Sequence, residues 1–238
     1  MKNLSIIIPI YKEKNNIVEL TNKIRKNLNF KNCEIIFVDD NSGDGTKEIL
    51  KKLKKKHKNF NFIIRKKKKD LTQSCFDGIK KSKYSIVLIM DGDLQHNPKY
   101  IPKLLRIYDS KNADIVIATR DLFYGKNSGL NYFRKLFSIF LIVLFTILIG
   151  KKTKDPMSGY FLFNKKIYKK NKKKYFGKGY KILADILYNS SGNLKIIDYD
   201  IKFGHRIKNK SKMNFKILII LLEFLLKTFI KRTLKINV

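Results

Sequence analysis

Short apolar runs that end in polar or acidic residues constrain the fold more than any other feature of this chain. The runs are β-branched and nearly unbroken, and they lie at residues 4–11, 33–40, 61–65, 85–91 and 113–120. The first run, LSIIIPIY, is predicted to be stopped by Pro9. Strands of this kind are buried on both faces, as in parallel sheets. The sequence therefore predicts an α/β fold with a mostly parallel sheet.

Segments with helical spacing separate these runs and are predicted to cover both faces of the sheet. They lie at residues 15–28, 46–56, 74–81 and 98–110. No internal repeat and no Pro- or Ser-rich linker marks a second domain. The N-terminus passes directly into a strand pattern, so we expect no targeting peptide. Cys33 and Cys75 have no metal-ligand spacing, which indicates reduced thiols in a cytosolic compartment.

The net charge of +34 raises the question of nucleic-acid binding. The lysines are spread over loops and helix faces, however, and no aromatic-interleaved patch stands out. We therefore expect no nucleic-acid partner and favour attraction to anionic lipids or phosphate substrates. Arginines are few, and Arg120, Arg134 and Arg206 lie beside sequence motifs, which makes them candidate site residues.

Two apolar segments do not fit an ordinary soluble α/β domain. Residues 136–150 carry no charge, yet they are fewer than the roughly 20 residues that a bilayer crossing needs. Residues 215–232 are strongly apolar but contain Glu223 and Lys227. Both segments fit either buried core helices or helices in the membrane interface, and we favour the interface because the sheet already fills one core. This divides the chain into an α/β domain, 1–212, with an apolar interface helix at about 133–150, and an amphipathic membrane-associating helix, 213–238.

The carboxyl ends of the predicted strands carry most of the acidic candidates. Asp91, Gly92 and Asp93 follow a buried run, and Gln95 comes two residues later. Their hard oxygen atoms suit Mg²⁺ or Mn²⁺, whereas His57, His96 and His205 are too scattered for a zinc site. Such a pair alone fits a solvated turn, but ligands of parallel sheets bind beyond the carboxyl ends of the strands. We therefore predict a divalent-cation site here.

Asp39 and Asp40 end the second run in the same way. Adjacent residues of a strand point to opposite faces, so one carboxylate lies on each side. An acid in this position can accept hydrogen bonds from a ribose or a base edge. The alternative is that the pair caps the following turn, NSGDGT at residues 41–46.

Five motifs taken in order resemble those of glycosyltransferase family 2: IIIPIYKEKNNI, VDDNSGDGT, MDGDLQHNP, DPMSGYFLF and FGHRIKNKSK. The last two motifs are most similar to the polyprenol-phosphate (dolichol-phosphate) mannosyltransferase branch, and the resemblance covers residues 1 to about 212. It implies a GT-A fold, an inverting reaction, Mg²⁺ or Mn²⁺, and a nucleotide-sugar donor. GDP-mannose with a polyprenyl or dolichyl phosphate acceptor is the first expectation, and UDP-glucose is the near alternative.

The resemblance also implies site residues by position. Pro9, Tyr11 and Glu13 correspond to the first nucleotide-contacting loop of the family. Val38, Asp39 and Asp40 correspond to its residues at the base and ribose. The diphosphate–metal motif corresponds to Asp91, Gly92 and Asp93, with Gln95 as a further metal ligand. A basic element is matched by Arg206, Ser211 and Lys212, although Asn209 replaces its usual glycine; Asn tolerates a left-handed backbone, so the turn is still expected.

Chemistry assigns roles to these groups. A cation at Asp93 and Gln95, with Arg206 and Lys212, would stabilise the leaving diphosphate. A lipid monophosphate is mostly dianionic at neutral pH and needs no base, but it must overcome repulsion from the donor. We assign Arg120 and Arg134 to the acceptor phosphate, because a guanidinium offers a planar fork of donors.

Asp155 and Gly159, in DPMSGYFLF, remain open to two interpretations. Asp155 is predicted to orient acceptor or sugar hydroxyls while Gly159 shapes the pocket floor, or the motif is a packing bulge. Asp155 as a general base would instead suit a family 2 enzyme that elongates a surface glycan. A third alternative is a non-catalytic basic module that binds membranes or nucleic acid. The preferred location is the cytoplasmic face of the membrane, peripheral or monotopic, on anionic lipids and with a membrane partner subunit left open.

Overall fold

The computed structural model describes residues 3–120, 132–179, 181–204 and 215–234. Within these ranges, the side chains at positions 30, 132–138, 148–149, 215–218 and 232 lie outside the described part. The described residues form one seven-stranded sheet with helices packed against it.

Strands and helices alternate over the first half of the chain, as the sequence predicts. The strands are β1 (Leu4–Ile10), β2 (Cys33–Asp39), β3 (Phe60–Ile64), β4 (Ile86–Ile89), β5 (Ile115–Arg120), β6 (Phe161–Asn164) and β7 (Ile196–Ile201). The helices are α1 (Lys14–Asn27), α2 (Thr46–Lys56), α3 (Leu71–Lys81), α4 (Ile101–Ser110), α5 (Tyr132–Ile149), α6 (Lys165–Asn171), α7 (Ile182–Asn189) and α8 (Phe215–Thr233). Short 3₁₀ turns precede β2 and α4.

The strand order is β3-β2-β1-β4-β6-β5-β7. All neighbouring pairs are parallel except those of β6, which runs antiparallel to both β4 and β5. The mostly parallel α/β sheet is therefore confirmed, with one reversed strand in its interior. Because β6 is reversed, the segment that enters it, residues 155–160, begins at the same edge where β4 and β5 end.

Alternate side chains of the central strands enter two different cores. Ile6 and Ile8 of β1 pack in one apolar cluster, and Ile7 packs in the other. On β2, Phe37 and Val38 divide in the same way. Helices therefore cover both faces of the sheet, and this explains why the strand sequences are unbroken apolar runs.

Pro9 does not stop the first strand, contrary to the prediction. β1 continues to Ile10, and Pro9 is paired with Val38 of β2. On the other side, β4 pairs only with residues 4–7 of β1. Pro9 lacks an N–H, and it lies beyond the end of the β4 ladder, so a proline is tolerated there.

Helices α5 and α8 pack against each other and against the domain. Leu141 and Phe145 of α5 are buried with Phe224 and Leu225 of α8, and the rings of Phe145 and Phe224 have their centroids 6.0 Å apart. This third core means that one face of each apolar segment is a true core face. Among the described residues, neither helix is long and apolar enough to cross a membrane.

Candidate active site

The carboxyl ends of β1, β2, β4 and β5 meet at one edge of the sheet. Ile10 pairs with Asp39, and the amide of Asp40 donates to the Ile10 carbonyl at 2.9 Å. Asp91 lies two residues beyond Ile89, the last residue of β4, and Arg120 is the last residue of β5. The structure thus brings the acidic motifs and Arg120 to the same edge, as expected for a parallel sheet.

The D-G-D turn packs closely on the end of β1. A Cβ atom at Gly92 would lie 2.5 Å from the Ile10 Cγ2 atom, so only glycine fits between the two acids. Asp93 is buried, and its Oδ1 accepts from the Gln95 amide at 3.1 Å. The Gln95 side-chain Nε2 donates to the Gly204 carbonyl at 3.2 Å, which leaves Oε1 as the ligand atom of that amide. Asp91, by contrast, keeps 40% of its side chain exposed.

His96 is buried directly behind Asp91. The Asp91 amide donates to His96 Nδ1 at 2.9 Å, and His96 Nε2 lies 3.6 Å from Asp91 Oδ2. The imidazole stacks on Tyr160 with centroids 5.0 Å apart and an interplanar angle of 16°, and Phe203 meets it edge-on. Three contacts therefore fix this ring.

Gly159 touches Asp91 from another side. A Cβ atom at Gly159 would lie 2.8 Å from Asp91 Oδ2 and 3.1 Å from Oδ1. The glycine of the DPMSGY motif thus allows the Asp91 carboxylate to lie directly on the backbone.

The pair Asp39 and Asp40 is engaged within the protein. Asp39 is buried and accepts hydrogen bonds from both the hydroxyl and the amide of Ser42. Burial raises the pKa of Asp39, and the Ser42 hydrogen bonds only partly offset that rise. The Ser42 hydroxyl also accepts from the Lys12 amide at 2.7 Å, so Asp39 organises the turn and the loop after β1 together.

Asp40 faces a buried arginine that the sequence did not single out. Arg65 forms an ion pair with Asp40 and donates to Asp77 Oδ2 at 3.1 Å. The second oxygen of Asp40 accepts from the Asp70 amide at 2.7 Å. Arg65 Nη1 also donates to the carbonyls of Lys68 and Asp70, so protein groups surround this side of the guanidinium.

The loop after β1 holds two predicted nucleotide contacts. The ammonium of Lys69 lies 3.4 Å from the centroid of the Tyr11 ring. Glu13 is buried at the start of α1 and accepts from the Asn16 side chain at 2.7 Å. The side chain of Val38 is completely buried in the core, so Val38 can meet a nucleotide only through its backbone.

Arg120 and Asp155 form a bidentate ion pair at the end of β5. Arg120 Nε donates to Asp155 Oδ2 at 2.7 Å, and a terminal nitrogen donates to Oδ1 at 2.9 Å. Burial by itself would raise the pKa of Asp155, but the Arg120 guanidinium outweighs it and holds that pKa below its ordinary value. Asp155 is therefore a poor proton acceptor, and among the described residues Arg120 Nη1 has no hydrogen-bond partner, which leaves its N–H groups for a further anion.

Lys181 adds a second cation to this cluster. It precedes α7, and its side chain is partly buried in electrostatic contact with Arg120, Asp155 and Asp91. Burial, reinforced by Arg120, lowers the pKa of Lys181 to about 8. Among the residues that the structure describes, no carboxylate forms an ion pair with Lys181, which leaves its charge for a ligand.

The loop before β6 is tied to the edge strand β7. The Thr153 hydroxyl donates to Asp198 Oδ1 at 2.6 Å, and the Lys154 amide donates to Asp198 Oδ2 at 2.8 Å. On the neighbouring β5, the Thr119 hydroxyl donates to Asp200 at 2.6 Å. These bonds hold the backbone on either side of the Arg120–Asp155 pair.

Several predicted site residues lie outside the described residues. They are Arg206, Asn209, Ser211, Lys212 and the side chain of Arg134, and their roles stay predictions. Over the described ranges, no group of three or more His, Cys, Asp or Glu side chains forms a metal cluster. A cation here would therefore be held by few protein oxygens, with substrate and water completing its shell.

The sequence did not reveal the roles of His96 and Lys181 in the site or of Arg65 beside it. His96 belongs to the MDGDLQHNP motif, and its separation of five residues from Asp91 is the signal that could have identified it as a partner of that acid. Lys181 is one lysine in a chain full of them, and Arg65 ends an apolar run without a motif. Lys181 and Arg65 are distinguished from other basic residues only by their partners, which are distant in the sequence.

The fold is that of a GT-A nucleotide-diphospho-sugar transferase. The crystal structure of glucosyl-3-phosphoglycerate synthase from Mycobacterium tuberculosis, in complex with Mn²⁺, uridine-diphosphate and glucosyl-3-phosphoglycerate, is similar with a TM-score of 0.70. The two sequences are 15% identical, and the match covers 97% of this chain and 80% of that one. The chain belongs to glycosyl transferase family 2, whose family model matches residues 5–171.

Two relatives from the dolichol-phosphate mannosyltransferase branch of this family are similar over most of this chain. A dolichol-phosphate mannosyltransferase of Pyrococcus furiosus is 34% identical over 215 residues, which is 90% of this chain and 60% of that protein. The chain thus spans less than two thirds of the length of that relative. A dolichol-phosphate mannosyltransferase of Saccharomyces cerevisiae is 30% identical over 240 residues, 95% of this chain and 86% of the yeast protein. The predicted family and branch resemblance are confirmed.

Proposed function

We propose that this protein transfers a hexose, mannose from GDP-mannose, to a polyprenyl or dolichyl-type monophosphate at a membrane surface, with inversion at the anomeric carbon. The observation that carries the proposal is the pairing of two opposite charge clusters at one sheet edge. Asp91 and Asp93 form the acidic cluster, and Arg120 and Lys181 form the basic one. A donor diphosphate with its cation and an acceptor phosphate need those two charges side by side.

The acidic cluster fits a divalent cation by its donor chemistry. Asp91, Asp93 and the Oε1 atom of Gln95 offer hard oxygens and no sulfur or imidazole ligand, as Mg²⁺ and Mn²⁺ prefer. Such a cation would neutralise charge on the leaving diphosphate. The buried Asp93 is fixed by the Gln95 amide, and the more exposed Asp91 faces the donor. Arg206 and Lys212 remain proposed partners of the same diphosphate.

The basic cluster favours a phosphate acceptor over a hydroxyl acceptor. A hydroxyl needs a base, and the one carboxylate proposed for it, Asp155, is held by Arg120 with its pKa lowered. A phosphate monoester carries its own charged oxygen at neutral pH and needs cations instead. The free N–H groups of Arg120 and the amine of Lys181 supply them, with Arg134 as a further proposed donor. This argues against the glycan-elongating alternative.

The exposed apolar side chains support a membrane location. In the described residues, every exposed large apolar side chain except Val18 lies on α5 or α8 or directly after α8. Their other faces form the third core, so one face of each segment fits the core-helix interpretation, and the exposed face is the one we propose for the interface. Lys227 and Lys231 are exposed on α8 beside the lysines that precede α7. We propose that this face lies on an anionic lipid surface and delivers the isoprenoid acceptor to the site.

Transfer of radiolabel to polyprenyl phosphate tests the activity. Purified protein is given GDP-[³H]mannose or UDP-[³H]glucose, with Mn²⁺ or with a chelator, and lipid-phase label and its anomeric configuration are measured. We expect labelled mannolipid only with metal, and a loss of about 100-fold or more in Asp93→Asn. Glu19→Gln removes an exposed acid of a surface pair and serves as the control. Label from UDP-glucose alone would reassign the donor, and no label from either would refute the proposal.

Arg134→Ala separates acceptor use from donor binding. We expect it to lower kcat/KM for polyprenyl phosphate while the affinity for GDP-mannose is unchanged. An equal loss for both substrates would contradict the assignment of this arginine.

Vesicle flotation tests the membrane face with two matched positions. Ile230 on α8 is 48% exposed, and Val18 on α1 is 47% exposed. We expect Ile230→Glu to weaken binding to phosphatidylglycerol vesicles about tenfold, because it places a charge in the interface. Val18→Glu should bind as wild type does. Equal losses, or equal binding of wild type to neutral vesicles, would contradict an α8 surface for anionic lipid.

A further inference from the structure

We propose that His96 positions the Asp91 carboxylate against Gly159 and so determines which oxygen Asp91 presents to the cation and the donor diphosphate. This inference rests on the proposed function, because it concerns the same acidic cluster. It assigns a task to a buried imidazole that touches no substrate, and it connects two motifs, DGDLQH and DPMSGY, that are far apart in the sequence. His96 is thus a positioning residue.

The hydrogen bond from the backbone fixes the tautomer of His96. The Asp91 amide can only donate, so His96 Nδ1 must accept and carries no proton. The single ring proton is then on Nε2, the atom 3.6 Å from Asp91 Oδ2. That separation is longer than a hydrogen bond, and a rotation of the carboxylate toward the ring would shorten it. The ring therefore holds the Asp91 backbone and directs one N–H toward its carboxylate.

The DPMSGY segment supplies the other walls. Tyr160 stacks on the imidazole, and Phe203 closes its edge, so the ring cannot turn freely. Gly159, next to Tyr160, lies against both oxygens of Asp91. The carboxylate is thus confined between a glycine backbone and a fixed N–H donor. Terminal torsions of aspartate are broad, so a carboxylate without such walls would sample many orientations.

A neutral donor suits this position better than a charged one. An arginine or lysine in contact with Asp91 would neutralise the carboxylate and compete with the cation, as Arg120 does with Asp155. A neutral imidazole N–H orients the oxygen without adding to the positive charge that Arg120 and Lys181 already place near Asp91. Partners behind a metal ligand of this kind change metal affinity about 10–100-fold when they are removed.

Two substitutions separate the two contacts of the ring. His96→Asn keeps an acceptor near the Nδ1 position and loses the donor toward the carboxylate. His96→Gln places its amide near the Nε2 position and can restore that donor. Binding of Mn²⁺ is measured by electron paramagnetic resonance in the presence of GDP, and thermal unfolding is measured in parallel. His57→Ala removes an imidazole that contacts Arg25 on the surface and is the control.

We expect His96→Asn to weaken Mn²⁺ binding about tenfold and His96→Gln to stay within about threefold of wild type. Gly159→Ala should weaken it as well, because its Cβ would displace the carboxylate. If His96 only fills space, the two variants will lose affinity in proportion to their loss of thermal stability, and the proposal is overturned. Equal Mn²⁺ affinity in His96→Asn and wild type overturns it too.

The metal-free wild type gives an independent measurement that does not depend on any variant folding. The ¹⁵N resonances of the imidazole report which nitrogen carries the proton, and the His96→Gln spectrum identifies the His96 signals. We expect Nε2 to be protonated and Nδ1 not, whereas a proton on Nδ1 refutes the inference. Failure of the proposed function looks different, since wild type itself would then bind no Mn²⁺ with GDP and transfer no sugar.

Discussion

Two buried arginine–aspartate pairs lie at the carboxyl ends of strands, one beside β2 and β3 and the other beside β5 and β6. They differ in how far the arginine is exposed to solvent and to a ligand. Arg65 and Asp40, between β2 and β3, are both almost completely buried. The Arg65 side chain is 3% exposed, and its Nε and Nη1 atoms donate to five protein oxygens. Arg120 and Asp155, beside β5 and β6, bind each other through two hydrogen bonds, but Arg120 is 14% exposed, and among the described residues its Nη1 atom has no hydrogen-bond partner.

The comparison shows that the surroundings of an ion pair decide its function, while the residue types are the same. Around Arg65 are acids and carbonyls of the loop and helix that follow β3, so the pair closes the structure. Around Arg120 are Lys181 and Phe203, and the two cations both interact with Asp155 and Asp91 beside the more exposed face of the pair. The first pair stabilises the fold, and the second one prepares an anion site.

The largest expected effect is on stability, at the Arg65–Asp40 pair. Arg65→Ala should lower the free energy of unfolding by about 3–5 kcal/mol, because it leaves the buried Asp40 without a partner. Urea unfolding measures this loss, and Arg106→Ala, at an exposed arginine of α4, should change stability by less than about 0.5 kcal/mol. If Arg65→Ala lost transfer activity but not stability, Arg65 would belong to the site and the comparison would fail.

Substitution of Arg120 in the Arg120–Asp155 pair should lower activity more than stability. Arg120→Lys keeps a positive charge beside Asp155 but removes the planar fork. We expect kcat/KM for polyprenyl phosphate to fall about 100-fold, while KM for GDP-mannose and the unfolding free energy stay nearly unchanged. Steady-state kinetics with each substrate varied in turn measures the difference. A rise in KM for GDP-mannose alone would place Arg120 on the donor side.

The contribution of Lys181 to stability should depend on pH, which gives a further test of the cluster around Arg120. Its pKa is about 8 in the folded chain and 10.5 in the ordinary state, so the unfolded chain holds more protons between these values. The Lys181 contribution therefore makes wild type more stable as pH rises from about 8 toward 10, and below pH 8 burial of the charge costs its full amount. We expect Lys181→Met to be about 1–2 kcal/mol more stable than wild type at pH 7, with the advantage shrinking toward pH 10.

Unfolding by urea at a series of pH values provides the measurement. A constant difference between Lys181→Met and wild type would show that the amine is not desolvated in the folded protein. Transfer activity of the variant should decrease at all pH values, because methionine offers no donor to the acceptor phosphate.

The smallest effect is expected at the exposed pair Lys154–Asp200, close to Asp155 in sequence. Both side chains are more than half exposed, and their closest N–O distance is 3.0 Å. Lys154→Ala should change the unfolding free energy by less than about 0.5 kcal/mol, as measured by the same urea titration, because solvent screens exposed pairs. A larger loss would mean that the loop before β6 depends on this contact.

The elements that could be predicted are those with a local signal. The five apolar runs became β1 to β5, and the helices between them start and end within a few residues of the predicted limits. β6 and β7 were not predicted: the FLFN run of β6 was interpreted only as part of the DPMSGYFLF motif, and the IIDYDI run of β7 is interrupted by two aspartates. The apolar segments at α5 and α8 were recognised, but only packing shows that Phe145 faces a core while Ile147 is exposed.

The candidate site divides in the same manner. Asp91, Asp93 and Gln95 were predicted because spacing within a single turn brings them together. Asp40 was predicted with equal reason as a nucleotide contact, yet the structure engages it with Arg65, 25 residues away. Lys181 acquires a role only from groups that are distant in sequence, and His96 acquires one from Asp91 in its own turn together with the distant Tyr160 and Phe203.

The sequence alone determined a parallel α/β sheet and the acids at its carboxyl edge, because the period of apolar residues and the end of each run are local properties of the chain. The tertiary structure alone decided which acids remain available to ligands and which arginine keeps free donors. The physical reason is that the charge left on a buried group depends on its nearest counter-charge, and that partner is brought in by folding from a distant segment.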